Sequence, residues 1–375
     1  MLRSHNDCDN DHTVRCESEK WGIKKMLVNR RSFLHLGAGA LASPLVMKSG
    51  YSYAQSMEKV TVRLDYTPWG IHAPFHLANA KGWFKDVGIA PEFDDGNGSV
   101  STVQIVGNGQ YDVGHASLGP MSIARGKGIG IKSFATLFGQ NDIALLIDPS
   151  ANVKTVADLK GKKIAHTPGS LEAPFIDKFL ATGGLTRDDI SLESVDASAK
   201  VGLYVNKRVD GIFSSPTFTL PQFQDQRPAD VLRFTDAKLD FLGYGLFATG
   251  DTLAERSEVL GRFASVVAGA WDYVLSGHED EGVQAIIDAR AQARLSPTVL
   301  RGQIEELRKY VSLPNQSGSP TLALTDADWQ STLKVLGEVD LVPKDAVASD
   351  YFVNGLLKPQ IISAVGKGEQ PNAGN

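Results

Sequence analysis

Residues 60–84, VTVRLDYTPWGIHAPFHLANAKGWF, constrain the fold more than any other stretch of the chain. Val60, Val62 and Leu64 alternate with Thr61 and Arg63, the period-two pattern of a half-buried strand. Pro68 and Gly70 break that strand into a loop, Asp65-Tyr66-Thr67-Pro68-Trp69-Gly70. Phe75, Leu77, Ala78, Ala80 and Phe84 supply the apolar stripe of a following helix, with Gly82 as its stop. Strand, loop and helix in that order open an α/β sheet, whose ligands bind beyond the carboxyl ends of the strands. The loop at that end carries Asp65, Tyr66, Trp69 and His72: one carboxylate, two large aromatics and one imidazole. An apolar slot with a few polar anchors is what a small-molecule site requires. Covering the sheet edge is the other use open to Tyr66 and Trp69.

A chain of 375 residues has room for roughly two domains. Its net charge of −5 gives no electrostatic footprint for nucleic acid. No apolar run approaches the length of about 18 residues that a membrane-spanning helix needs.

Residues 1–54 read as an export region. Arg30 and Arg31 precede a short Gly/Ala-rich apolar segment, residues 33–47. Ser52-Tyr53-Ala54 follows as a small-x-small cleavage site, so a cut is expected after Ala54. Paired arginines before a weakly hydrophobic segment predict twin-arginine (Tat) export, with an ordinary Sec signal as the alternative. No cysteine lies at the cut, so no lipid anchor is expected there. Residues 1–25 read as an upstream extension before Met26. Removing the export region takes away Cys8 and Cys16, the only cysteines, and leaves a more acidic remainder. That excludes disulfides, Cys-ligated metals and Cys nucleophiles from the mature chain.

Further along, residues 88–93 predict a second strand, and Asp94-Asp95-Gly96-Asn97-Gly98-Ser99 a Gly-rich loop before a helix at 100–107. Gly-x-Gly there serves either close approach of backbone to a ligand or a plain turn. Strands at 111–116 and 131–138, separated by a helix at 117–125, complete a first α/β lobe, residues 55–141. The apolar run 143–147 crosses into a second lobe, residues 142–244, with strands at 163–165, 191–195, 211–213 and 231–234 and helices at 171–181 and 199–206. The apolar stretch 239–247 reads as the return crossing, and residues 245–365 rejoin the first lobe as helices. Two crossings make a hinge, with ligand held between lobes. Val259, Phe263, Val266, Val267 and Trp271 fall at helical spacing and read as core. Residues 366–375, rich in Gly, Lys, Glu, Pro and Asn, predict a disordered tail.

Several pieces, in order, resemble one family. They are Leu64-Asp65-Tyr66-Thr67-Pro68 with His72-Ala73, Ala80-Lys81-Gly82-Trp83-Phe84, Gly109-Gln110-Tyr111-Asp112-Val113-Gly114, Asp158-Leu159-Lys160-Gly161-Lys162-Lys163-Ile164, Arg208-Val209-Asp210-Gly211 and Asp350-Tyr351-Phe352-Val353-Asn354. The chain resembles the periplasmic solute-binding proteins of ABC importers, in the branch shared by sulfonate, taurine, nitrate and thiamine-pyrimidine-precursor binders. The resemblance implies an α/β, two-lobed type II periplasmic-binding-protein fold with two hinge crossovers. It implies a non-catalytic monomer that captures a small molecule by closure and delivers it to a membrane permease and its ATPase. Leu-Asp-Tyr-Thr-Pro with His-Ala resembles the pyrimidine-precursor subgroup, where an aromatic residue stacks on the ring and carboxylates bind its nitrogens. The subgroup usually has Asn near position 69, where this chain has Trp69, and that leaves the ligand open within the branch.

The residues themselves lean the same way. Asp65, Asp94, Asp95, Glu172 and Asp196 lie in the candidate loops, which carry no Lys or Arg. An oxyanion wants arginine or amide N–H groups; a protonatable amino-heterocycle wants a carboxylate and an aromatic face. The expected ligand-binding set is Asp65, Tyr66, Trp69, His72, Asn97, Ser117, Thr167, Ser170, Glu172, Asp196, Ser214, Thr217 and Tyr244. For several of these a local role is the alternative: His72, Ser170 and Glu172 as helix-start groups, Ser214 and Thr217 as turn residues before and after Pro216. Amide groups at 167–170 leave an anion open as ligand. His72, His115 and His166 lack metal-ligand spacing, so neither metal nor cofactor is expected. No GxSxG or zinc motif is present, although a fungal pyrimidine synthase of similar fold keeps an enzyme reading open.

Overall fold

The computed structural model describes residues 57–311 and 325–371. The expected export signal, the expected cleavage site after Ala54 and both cysteines lie outside them.

Two five-stranded mixed sheets carry the fold. The first contains β1 (Glu58–Arg63), β2 (Ile89–Asp94), β3 (Val113–Ser117), β4 (Ile131–Thr136) and β10 (Tyr244–Thr249), in the order β2-β1-β3-β10-β4. The second contains β5 (Ala144–Ile147), β6 (Lys163–His166), β7 (Ser191–Ser194), β8 (Gly211–Ser214) and β9 (Asp230–Arg233), in the order β7-β6-β8-β5-β9. In each, three parallel strands are followed by one antiparallel strand inserted from the crossing connection. The chain passes from one sheet to the other between β4 and β5 and returns between β9 and β10. This is the type II periplasmic-binding-protein arrangement that the family resemblance implies.

Helices flank both sheets. Around the first lie α1 (Ala73–Lys81), α2 (Trp83–Asp86), α3 (Ser99–Gly107) and α4 (Leu118–Gly126). α5 (Ile176–Thr182), α6 (Ala197–Val205) and α7 (Pro216–Phe223) belong to the second. α8 (Gly250–Leu275, kinked at Arg256), α9 (Glu279–Ala289), α10 (Pro297–Val311), α11 (Asp326–Glu338) and α12 (Pro359–Gly366) complete the chain. Val259, Phe263, Val266, Val267 and Trp271 on α8 are buried in the core, where Phe263 stacks on Phe84 at 5.1 Å. Gly82 ends α1 at φ +81°, the left-handed turn that glycine adopts without steric cost.

Three local expectations change. The helix expected over 171–181 begins late, as a 3-10 turn at Ala173–Phe175 with Pro174 in its first turn, followed by α5. Ser214 to Thr217 is not only a loop: α7 starts at Pro216, a favourable first position, and tolerates Pro221 inside a short helix. The expected tail opens with a folded helix end, since α12 runs to Gly366. The amides of Lys367, Gly368 and Glu369 bond back to carbonyls of Ala364 and Val365, with Gly368 at φ +76° closing the helix end.

Candidate functional site

Asp65 lies two residues beyond the end of β1, and its position is set by backbone. Leu64 N–H donates to Asp94 O at 2.9 Å, Gly96 N–H to Tyr66 O at 3.0 Å and Gly98 N–H to Asp65 O at 2.8 Å. A Cβ on Gly96 would lie 2.2 Å from Leu64 O, so the Gly-rich loop serves close approach, though to neighbouring backbone. Gly98, at φ +112°, touches Gly169 of the facing lobe: its Cβ would lie 2.6 Å from Gly169 O.

Asp65 is 2% exposed. Its Oδ1 is 2.8 Å from His72 Nε2, 3.3 Å from His115 Nδ1 and 3.4 Å from the Trp69 indole N–H. Burial by itself would raise the Asp65 carboxyl, but the hydrogen bonds and charges of His115 and His72 outweigh it and hold it below the usual carboxylate range. Burial lowers His115, with Asp65 opposing, and pushes His76 behind His72 down to about 3. His72 stands at the start of α1 without capping it; its side chain goes to Asp65.

A cavity of about 30 Å³ adjoins this cluster. Asp65, Tyr66, Trp69, Gly98, Ser99 and Tyr244 line it from the first lobe, and Ser170, Leu171, Glu172, Lys200, Ser214, Ser215 and Phe218 from the second. Four rings interlock there. Phe218 meets Tyr66 edge-on at 5.3 Å and Trp69 at 5.4 Å, and Trp69 meets Tyr244 at 6.0 Å. Burial, chiefly, raises the phenols of Tyr66 and Tyr244, so both remain neutral donors. Glu172, fully buried, accepts from Lys200 Nζ at 2.9 Å, and Lys200 also donates to Phe213 O at 2.9 Å. Glu172 Oε2 has no hydrogen-bond partner among the described residues. A larger groove of about 810 Å³ runs beside β9, but its Lys154 and Arg233 are solvent-exposed. The smaller cavity gathers the buried charges, so the chemistry belongs there.

Of the expected residues, the fold brings Asp65, Tyr66, Trp69, Ser170, Glu172, Ser214 and Tyr244 to one cavity. His72 stands behind Asp65. Ser117 Oγ and Thr167 Oγ1 are buried without hydrogen-bond partners among the described residues, outside the lining. Thr217 Oγ1 and Ser215 Oγ donate to Asp142 Oδ2 in the hinge. Asn97 and Asp196 are exposed, and Asp196 precedes α6 without a capping bond. Asp94 and Asp95 are taken by Tyr111 and Arg290.

Lys200 corrects the expectation of a site without lysine: α6 turns it inward onto Glu172, which nothing in the helical pattern announces. Phe218 was missed with the helix that carries it. The expectation of no metal site rested on spacing along the chain. Folding nonetheless brings Asp65, His72 and His115 together, with ligating atoms all within 4.8 Å of one another, while His166 pairs with Ser194 elsewhere.

No helix among the described residues is long and apolar enough to cross a membrane. The structure is similar to the periplasmic aliphatic sulphonate-binding protein SsuA of Escherichia coli, with TM-score 0.60 and 16% identity, covering 81% of this chain and 94% of that one. It is likewise similar to the periplasmic nitrate-binding protein NrtA of Synechocystis PCC 6803, with TM-score 0.58 and 13% identity over 83% and 89% of the two chains. In sequence it is 26% identical over 235 residues to the 4-amino-5-hydroxymethyl-2-methylpyrimidine phosphate synthase THI5 of Saccharomyces cerevisiae, 59% of this chain and 68% of that protein. The family described as NMT1/THI5 like matches residues 69–280, more than half of the chain, and the chain belongs to it.

Proposed function

We propose that this chain is exported to the periplasm and there serves as the substrate-capture component of an ABC importer. Its ligand is a small heteroaromatic amine of the thiamine-pyrimidine-precursor kind. Residues 55–141 with 245–365 act as one lobe and 142–244 as the other, except that Tyr244, the first residue of β10, lies in the first sheet. The ligand passes to a permease and its ATPase, and the chain itself carries out no reaction. One observation carries this reading: two buried carboxylates, each with one oxygen uncommitted among the described residues, share a cavity with four aromatic rings. Asp65 Oδ1 takes His72, His115 and Trp69, which leaves Oδ2. Glu172 Oε1 takes Lys200, which leaves Oε2. Acceptors of this kind suit ring and amino N–H groups, and the rings of Tyr66, Trp69, Phe218 and Tyr244 suit a planar ligand.

A cavity of about 30 Å³ holds a water rather than a ring. Entry of a pyrimidine therefore parts the lobes and displaces Phe218 from Tyr66 and Trp69. Lys200 does not favour sulfonate or nitrate, because Glu172 already neutralises it. A synthase reading draws on the name of the fungal relative.

The test is a thermal-shift screen of residues 55–375 with amino-hydroxymethyl- and formylaminopyrimidines, thiamine, taurine, alkanesulfonates and nitrate, followed by product analysis. A ligand at about 100 times its Kd stabilises by about 2.7 kcal/mol. Stabilisation by pyrimidines, weakened about 1.5–3 kcal/mol by Asp65→Asn, is the expected outcome. A shift with sulfonates or nitrate alone refutes the ligand class, and chemical turnover refutes the transport role.

A further inference from the structure

Asp65 has a second set of neighbours that ligand capture does not use. His115 is fully buried; its Nε2 has no hydrogen-bond partner among the described residues, and its Nδ1 has only the Asp65 carboxylate, at 3.3 Å. An imidazole in water always finds partners, and burying one with a ring nitrogen unpartnered is unfavourable. His115 is held firmly all the same. Tyr244 stacks on it at 5.5 Å, and Phe75 meets it edge-on at 5.1 Å. His115 Nδ1 is 3.3 Å from Asp65 Oδ1, on the other side of which stands His72 Nε2 at 2.8 Å. All three groups are buried, and their donor atoms all lie within 4.8 Å of one another.

We propose that Asp65, His72 and His115 form a binding site for one divalent transition-metal ion, zinc above all, at the wall of the interlobe cavity. The donor set is two imidazoles and one carboxylate, which selects zinc and its first-row neighbours over magnesium and calcium. Donors bonded at about 2.0–2.1 Å around a tetrahedral ion stand about 3.3 Å apart. The His115–Asp65 separation already has that value, so metal entry needs only small side-chain shifts. Asp65 also lines the cavity, together with Trp69 and Tyr244, which pack against the two histidines. Three protein donors beside a cavity are the pattern that leaves a fourth position for water or a ligand atom. The site uses Asp65 Oδ1, so the other oxygen stays available for capture, and this inference does not rest on the transport reading.

The test uses residues 55–375 without a histidine tag, stripped with a chelator, desalted and titrated with Zn²⁺ in the absence of any organic ligand. One zinc per chain retained after gel filtration is expected, with a rise in Tm of roughly 5 °C at saturation. Co²⁺ in the same site should give the intense visible bands of a four-coordinate ion. His115→Gln should lower zinc affinity at least tenfold, and His166→Gln, outside the cluster, should leave it unchanged. If His115→Gln fails to fold, the cobalt spectrum of the unaltered protein decides. Weak six-coordinate bands, less than one zinc retained, or equal retention by His115→Gln would each leave a hydrogen-bonded carboxylate–histidine cluster only and overturn the site. Pyrimidine stabilisation measured in the presence of chelator reports separately on capture, so the two readings fail independently.

Discussion

Gln303→Leu isolates the joint between the two lobes. Gln303 lies on α10 and is 2% exposed. Its Oε1 accepts from Gly70 N–H at 2.9 Å, and its Nε2 donates to Phe218 O at 2.8 Å. One buried amide thus ties the aromatic loop after β1 to the helix that carries Phe218 over the cavity. Gly70 is pressed against α10: a Cβ on it would lie 2.7 Å from the Gln303 Cβ. Leucine nearly preserves the volume and removes both hydrogen bonds. The Gly70 N–H is left buried and unpaired, at a cost of about 1–3 kcal/mol. Loss of the bond to Phe218 adds about 0.5–1.5 kcal/mol, but parting of the lobes lets water reach that carbonyl. The first cost therefore appears as lost stability and the second as a shift towards an open form. Urea unfolding should show a loss of about 1–3 kcal/mol, and small-angle scattering without ligand should give a larger radius of gyration. A loss under about 0.5 kcal/mol with unchanged scattering would refute the view that this amide joins the lobes.

Other perturbations test the remaining parts. Asp142 sits buried in the hinge, where burial raises its carboxyl despite the hydroxyls of Ser215 and Thr217. A raised folded-state pKa contributes stability at low pH that is lost as pH rises through that value, so Asp142→Asn should be more stable than the unaltered protein at pH 8 and lose that advantage at pH 3.8, the ordinary carboxylate value, in paired urea titrations. An advantage equal at both pH values would refute this. Lys200→Met strands the Glu172 charge in the interior and should cost about 3–5 kcal/mol, most of it recovered by adding Glu172→Gln; double-mutant unfolding checks the coupling. Gly98→Ala places a Cβ 2.6 Å from Gly169 O and should prop the lobes apart in scattering. A closed profile would place the lobe contact elsewhere.

The site was legible where local pattern places a residue at a strand end. Asp65, Tyr66 and Trp69 follow directly from the alternation of Val60, Val62 and Leu64 and from the break at Pro68 and Gly70. Ser214 was found the same way, at the end of β8. The method failed where a helix turns a charged residue inward. Lys200 stands among small and apolar residues on α6, and only the Glu172 carboxylate facing it reveals its role. It also placed Asn97 and Asp196 in the site because they adjoin strand ends, but both side chains are exposed.

The order of strands and helices and the two crossings are written in short-range features: apolar period and glycine and proline breaks. Each depends on neighbours within one turn or one strand, so a single sequence contains it. Which side chains meet is set by packing between sheets and lobes. Lys200 reaches Glu172 across 28 residues of chain and Gln303 reaches Gly70 across 233, distances over which local pattern carries no register. Burial then decides what those meetings mean: it drives the Asp142 carboxyl up, while the histidines gathered around Asp65 hold that carboxyl down, and neither environment exists until the fold closes.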